Sequence, residues 1–202
     1  MVAIIDYDAG NIRSVEKAVE HLGKDRILTR DPGEILKADH VILPGVGSFG
    51  DAMKRLSEYG LTEPVREVVK RGIPFLGICL GLQLLFEESE ESPGIGGLGI
   101  FKGRIRKLPE GEGLKVPNIG WNSLEIKKES RLFEGLSDDP FMYFVHSYYA
   151  DAEDKTIVSA QIEYGARADV ALEAGNVFAC QFHPEKSSKE GLRLLMNFLG
   201  NS

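Results

Sequence analysis

Pro74-Phe75-Leu76-Gly77-Ile78-Cys79-Leu80-Gly81-Leu82-Gln83-Leu84-Leu85-Phe86 is the stretch whose reading decides the fold. The apolar run from Phe75 to Ile78 reads as a buried strand, and the Leu-rich residues after Cys79 read as a helix. Gly77 and Gly81 bracket the cysteine as G-x-C-x-G. That is the cysteine form of a nucleophile elbow, a sharp strand-to-helix turn that holds a nucleophile in an exposed pose. A side chain at either glycine would collide with the neighbouring strand or helix. The helix start favours thiolate over thiol. Taken alone, the motif is also compatible with a small core cysteine.

A second stretch changes that balance. Val177-Phe178-Ala179-Cys180-Gln181-Phe182 reads as a buried strand that runs into His183-Pro184-Glu185. In extended backbone, residues i and i+2 face the same side. Pro184 fixes its own backbone and pushes His183 toward the extended region. Glu185 is thus expected to hold one ring nitrogen of His183 and leave the other for Cys79. This is the base-and-orienter half of a triad. The order is nucleophile, base, acid, whereas an α/β-hydrolase places the acid between the other two. Cys180 reads as inert core. Two cysteines and scattered histidines do not fill a zinc sphere, so neither metal nor cofactor is expected. A Gly-rich turn, Pro44-Gly45-Val46-Gly47, follows another apolar strand. Such turns present backbone N–H groups to anions. The N–H groups of Val46 and Leu80 are the expected halves of an oxyanion hole.

The 202 residues suggest one domain spanning 1–202. They are 43% hydrophobic and 27% charged, which allows a sizeable core. The net charge of −7 argues against nucleic acid and anionic membrane as partners. No signal peptide or membrane span is apparent, and the thiol count fits a reducing cytoplasm.

Val2–Asp6, Arg26–Thr29 and Val41–Leu43 read as strands. Helices are expected over Ile12–Leu22, Phe49–Tyr59 and Thr62–Lys70. This alternation implies a three-layer α/β fold, with a mostly parallel central sheet and helices on both faces. Beyond the acidic run Glu87–Glu91, strands dominate: Ile100–Lys107, Leu124–Lys127, Phe141–Val145, Ile157–Ile162, Val170–Leu172 and Val177–Phe182. These are expected to add to the sheet in antiparallel fashion, before a closing helix over Lys189–Leu199.

The elbow and the His-Pro-Glu segment resemble those of the class I (triad-type) glutamine amidotransferases. The resemblance runs through Asp6–Asn11, Leu43–Gly50, Gly77–Gln83, Glu87–Glu91, Gly120-Trp121-Asn122, His146-Ser147-Tyr148 and Gln181–Ser187. The first segment, the Gly-Trp-Asn segment and the Lys-Ser after Glu185 make it closest to the glutaminases that serve a (β/α)-barrel cyclase subunit in histidine biosynthesis. The resemblance implies that Cys79 attacks the side-chain amide of glutamine, with His183 as base and then acid and Glu185 as its orienter. It also implies that Gly47, Gln83, Glu91, His146, Ser147 and Tyr148 line the glutamine site. Ammonia would pass to the cyclase within a heterodimer. Asn118 departs from the His or Gln expected before Ile-Gly-Trp.

Three residues are expected at the partner interface: Asn11, Trp121 and Lys186. Asn11 also suits a helix N-cap, Trp121 suits the core, and Lys186 suits solvent. Glu91 has two readings, a mate for the glutamine ammonium or part of a solvated acidic face. Rival functions are a glutaminase for anthranilate or pyridoxal phosphate synthesis, or a cysteine peptidase or thiol-redox protein of similar fold. Anthranilate-type chains usually carry histidine where Leu82 stands, and the peptidases generally lack His-Pro-Glu. An intact triad argues against a non-catalytic binding subunit.

Overall fold

Strand β1 (Val2–Ile5) is buried along its whole length because it lies between β2 (Arg26–Thr29) and β3 (His40–Leu43), parallel to both. A central parallel strand is covered on both faces, which is why it reads as an unbroken apolar run. Alternation then sorts its residues. Ala3 and Ile5 join one core with Val41, Leu43 and Phe75, while Val2 and Ile4 join the other with Ile42, Leu76 and Ile78. The computed structural model describes residues 1–111 and 113–200.

Helix α1 (Ile12–His21) connects β1 to β2 and buries Val15, Ala18 and Val19. The short α2 (Pro32–Ile35) is capped by Asp31, whose side chain accepts from the Glu34 N–H. After β3 come α3 (Phe49–Glu58), capped by Ser48, and α4 (Thr62–Lys70). Strand β4 (Phe75–Ile78) pairs in parallel with β3, and α5 (Leu80–Gln83) follows Cys79. The expected Leu-rich helix is therefore a single turn. Leu80, Leu82, Leu84, Leu85 and Phe86 are all buried, so the segment lacks the polar face that a longer surface helix would need.

The second half departs further from expectation. Strands β5 (Glu88–Ser89) and β6 (Gly103–Lys107) pair in parallel at the sheet edge, so part of the acidic run is a strand. Strand β7 (Asn118–Ser123) was not foreseen, and β8 (Glu125–Ile126) is short. Strand β9 (Phe141–His146) does not extend the main sheet; it pairs antiparallel with β7 as a separate ribbon. The main sheet is instead continued by β10 (Tyr148–Ala152), also unforeseen, with β11 (Val158–Glu163) and β12 (Arg167–Ala174). Strand β13 (Val177–Cys180) stops before Phe182 and lies between β4, parallel, and β12, antiparallel. Helix α6 (Ser188–Leu199) closes the chain.

Among the described residues the main sheet runs β2-β1-β3-β4-β13-β12-β10-β6-β5. The carboxyl ends of β1, β3, β4 and β13 share one edge. That edge is where open α/β sheets place their ligands. No helix of the described residues is long and apolar enough to cross a membrane.

Candidate active site

Cys79 has φ 55° and ψ −110°, a conformation that L-residues rarely adopt. Its N–H is held by the Cys180 carbonyl at 2.7 Å, and its own carbonyl accepts from Leu82 at 3.0 Å. The flanking glycines leave room for this bend. A Cβ on Gly81 would lie 1.9 Å from the Leu43 carbonyl oxygen, and one on Gly77 would lie 2.7 Å from that of Gly81. The elbow is thus built by close backbone packing, and it stores strain at Cys79.

His183 and Glu185 meet as expected, although by a different route. His183 is extended at φ −102° and ψ 95°, but Pro184–Lys186 forms a 3₁₀ turn. Glu185 reaches back from that turn, and its Oε1 lies 2.8 Å from His183 Nδ1. Both side chains are buried. His183 Nε2 is buried without a hydrogen-bond partner among the described residues. Burial alone would lower the His183 pKa. The interactions with Cys79 and Glu185 outweigh it and raise the value to about 9. Thiol, imidazole and carboxylate therefore stand in series, an arrangement suited to covalent attack with proton exchange.

Asn11 occupies a place that sequence reasoning did not foresee. Its backbone is left-handed, with φ 64°, and its side chain caps no helix. Instead Nδ2 donates to Glu185 Oε1 at 2.7 Å.

The expected oxyanion hole is closed. The Leu80 N–H donates to the Gly45 carbonyl at 3.3 Å. In a trans peptide the carbonyl and the next N–H point in opposite directions, so the Val46 N–H points away from Leu80. Two converging donors require the Gly45–Val46 peptide to rotate. Tyr7, another residue the sequence did not single out, packs against this turn. A Cβ on Gly45 would lie 2.2 Å from Tyr7 Oη, which is buried without a partner among the described residues. Burial, reinforced by nearby Cys79, pushes the Tyr7 pKa up.

A cavity of about 270 Å³ opens beside Cys79. Val46, Gly47, Leu80, Gln83, Glu91, His146, Ser147 and Tyr148 line it, so the expected substrate-site residues are brought together. Glu91 is not simply part of a solvated face, since Oε2 accepts from the Phe49 N–H at 2.7 Å at the start of α3. Burial lowers the His146 pKa to about 4, so the ring is neutral at ordinary pH. Its Nδ1 faces the Tyr148 carbonyl at 2.9 Å, and Asn118 Nδ2 lies 3.2 Å from Nε2. Asn118 thus meets the acceptor nitrogen of that tautomer with a donor.

Gln181 also escaped the sequence reading. It is fully buried, and its Nε2 lies 3.6 Å from Cys79 Sγ. A polar residue interrupting an apolar strand was the available signal.

Trp121 lies on β7, half exposed, and packs edge-on against Tyr143 of β9. It is neither core nor on a loop. Ile119 and Phe141 add to the exposed apolar surface of the same ribbon. Lys186 is exposed and makes no ion pair among the described residues. Burial pushes the Cys180 thiol well up, in keeping with inert core. No group of side chains among the described residues is arranged to hold a metal ion.

A family model described as glutamine amidotransferase class-I matches residues 3–201. The imidazole glycerol phosphate synthase subunit HisH of Moorella thermoacetica is 49% identical over 197 residues, covering 98% of this chain and 93% of that protein. The subunit of the same name from Bacillus cereus strain G9842 is 52% identical over 200 residues, covering 99% and 94%. A crystal structure of a glutamine amidotransferase superposes with a TM-score of 0.78 at 24% identity, covering 98% of this chain and 97% of that one.

Proposed function

The chain belongs to the class I glutamine amidotransferases, and from that premise we infer that it is the glutaminase subunit of an imidazole glycerol phosphate synthase. It hydrolyses glutamine to glutamate and ammonia. Near-full-length identity of about half to subunits of that synthase supports this reading over a glutaminase for anthranilate or pyridoxal phosphate synthesis.

We propose the following course for the reaction. Cys79 gives its proton to His183, and the sulfur attacks the side-chain amide carbon of glutamine. Glu185 stabilises the imidazolium that forms. His183 then returns the proton to the leaving nitrogen, ammonia departs and a thioester remains. Water, deprotonated by His183, attacks the thioester, and Cys79 is released with glutamate. Both tetrahedral intermediates carry an oxyanion, which Leu80 and Val46 N–H groups would stabilise once the Gly45–Val46 peptide has rotated. The subunit without its partner is then a poor glutaminase. Gly47, Gln83, Glu91, His146, Ser147 and Tyr148 would hold the substrate, with Glu91 facing its ammonium.

The ammonia acceptor is a (β/α)-barrel cyclase, bound in a heterodimer in the cytoplasm. The ribbon of β7 and β9 supports this interface. It exposes Trp121, Ile119 and Phe141 on one side, and the Tyr143 carbonyl of β9 accepts from the His183 N–H at 3.0 Å. A partner on the ribbon is thus one hydrogen bond from the proposed base.

The observation that carries the reading is the 2.8 Å His183–Glu185 pair beside the strained Cys79. Cys79→Ala should abolish glutamine hydrolysis and labelling by a glutamine-mimicking electrophile, with or without the cyclase. Cys180→Ala should retain most of both. Equal losses from the two variants would overturn it.

A further inference from the structure

Four side chains and one backbone carbonyl form a buried relay that ends on the nucleophile. The Tyr148 carbonyl accepts from His146 Nδ1 at 2.9 Å and from Gln83 Nε2 at 3.3 Å. The same Gln83 nitrogen lies 3.0 Å from Gln181 Oε1, and Gln181 Nε2 lies 3.6 Å from Cys79 Sγ. Gln83 is buried and Gln181 fully so, and the Gln181 amide has its partners within the protein.

The polarity of this relay follows from its one unambiguous end. An amide side chain can be turned either way, but a backbone carbonyl can only accept. Tyr148 therefore obliges Gln83 to present its nitrogen. That nitrogen also faces Gln181, which must answer with its oxygen. Gln181 is left with its NH₂ toward the sulfur. The reverse orientation of Gln181 would oppose two donors at Gln83 and aim a carbonyl oxygen at a sulfur that becomes negative. Both errors are costly in a buried site.

We propose that Gln181 is a further catalytic residue, a fixed N–H donor to Cys79 Sγ that stabilises the sulfur while it carries the negative charge. The inference rests on Cys79 being the nucleophile. Its proton passes to His183 Nε2 and the electron pair stays on sulfur. The Gln181 N–H is shared with that pair and is never transferred. When the carbon–sulfur bond forms, the charge leaves the sulfur and the contact weakens. It strengthens again as the thioester breaks. The sulfur is thus served by two nitrogens. His183 moves a proton, and Gln181 holds the charge left behind. A glutamine kept only for packing would be replaceable by a side chain of equal length.

The test uses the whole chain carrying Cys180→Ala, so that Cys79 is the only thiol. Alkylation by iodoacetamide is followed as a function of pH for this parent, for Gln181→Met and for Gln181→Asn. Methionine fills the space without a donor, and asparagine keeps the amide one methylene short of the sulfur. Each variant should fold, by its circular dichroism and thermal transition. Each alkylation profile should move to higher pH, by about one unit for Met, with about ten-fold slower alkylation on the rising limb. Profiles that superimpose on the parent's in either folded variant would overturn the proposal. Iodoacetamide needs no glutamine site, so the outcome does not depend on the glutaminase reading. A parent that shows the shift on mutation but hydrolyses no glutamine even with the cyclase bound would overturn only that reading.

Discussion

Asn11 and Glu185 are 174 residues apart in the chain, and the Asn11 amide donates to the Glu185 carboxylate at 2.7 Å. Oε1 of Glu185 receives both this bond and the contact with His183, while the buried Oε2 has no partner among the described residues. Asn11 therefore helps fix the one carboxylate oxygen that orients the proposed base. It does so from the loop after β1.

Removing that amide should be visible in turnover rather than in folding. Asn11→Gly keeps the left-handed backbone at no steric cost and deletes the donor. The hydrolysis rate in the cyclase complex should fall about ten-fold, the loss expected for one charge-assisted hydrogen bond, with little change in the melting transition. Asn11→Ala should lose the same activity and about 1 kcal/mol of stability besides, because alanine resists that backbone. A glycine variant with wild-type turnover would free Glu185 from any dependence on Asn11.

The Gly45 turn yields a paired prediction. The Cβ of Gly45→Ala would sit 2.2 Å from Tyr7 Oη and 3.1 Å from Leu80 Cβ. Overpacking of this kind costs about 1–3 kcal/mol, and the displaced peptide should cut glutamine turnover at least ten-fold. Adding Tyr7→Phe removes the atom in collision and should restore much of the stability. Tyr7→Phe alone should be neutral or stabilising, since that hydroxyl is buried unpaired. If the double variant is no more stable than Gly45→Ala, Tyr7 does not constrain the turn.

Two histidines set opposing pH limits on stability. The folded His183 pKa lies at about 9, above its ordinary 6.5, so its contribution is complete below pH 6.5 and is lost as pH rises through about 9. The folded His146 pKa is depressed to about 4. Its contribution is present above pH 6.5 and is lost as pH falls through about 4. Unfolding free energy from urea titrations should decline in both directions from a maximum near neutrality. In His146→Gln the decline on the acid side should be shallower. An unchanged acid limb in that variant would contradict the assignment to His146.

Lys186 follows Glu185 directly and is exposed. Lys186→Glu should leave the fold and Cys79 alkylation intact. Cyclase binding should weaken, or glutamine hydrolysis should continue without matching cyclase turnover. Titration of the variant with cyclase, reading binding and ammonia-dependent product together, decides the matter. Unchanged binding and coupling would return Lys186 to the solvent.

The proposed nucleophile, base and acid were legible from local sequence because the placement of each depends on near neighbours. Gly77 and Gly81 mark the bend around Cys79 by steric need, and Pro184 sets the backbone of His183. The parallel core was legible because strands buried on both faces leave continuous apolar runs such as Val2–Ile5 and Phe75–Ile78. The ribbon of β7 and β9 was not. Its pairing of Asn118 with His146 joins distant residues, and Gly120 and two asparagines dilute the strand signal. Tertiary structure alone decided three features of the site. The Gly45–Val46 peptide can face either way with the same residues, and its contact with Leu80 closes the proposed oxyanion hole. Asn11 carries the same amide whether it caps a helix or reaches Glu185. The Gln181 amide has no intrinsic direction until the Tyr148 carbonyl, acting through Gln83, imposes one. In each case sequence supplied a group with two permissible orientations, and long-range contacts selected one.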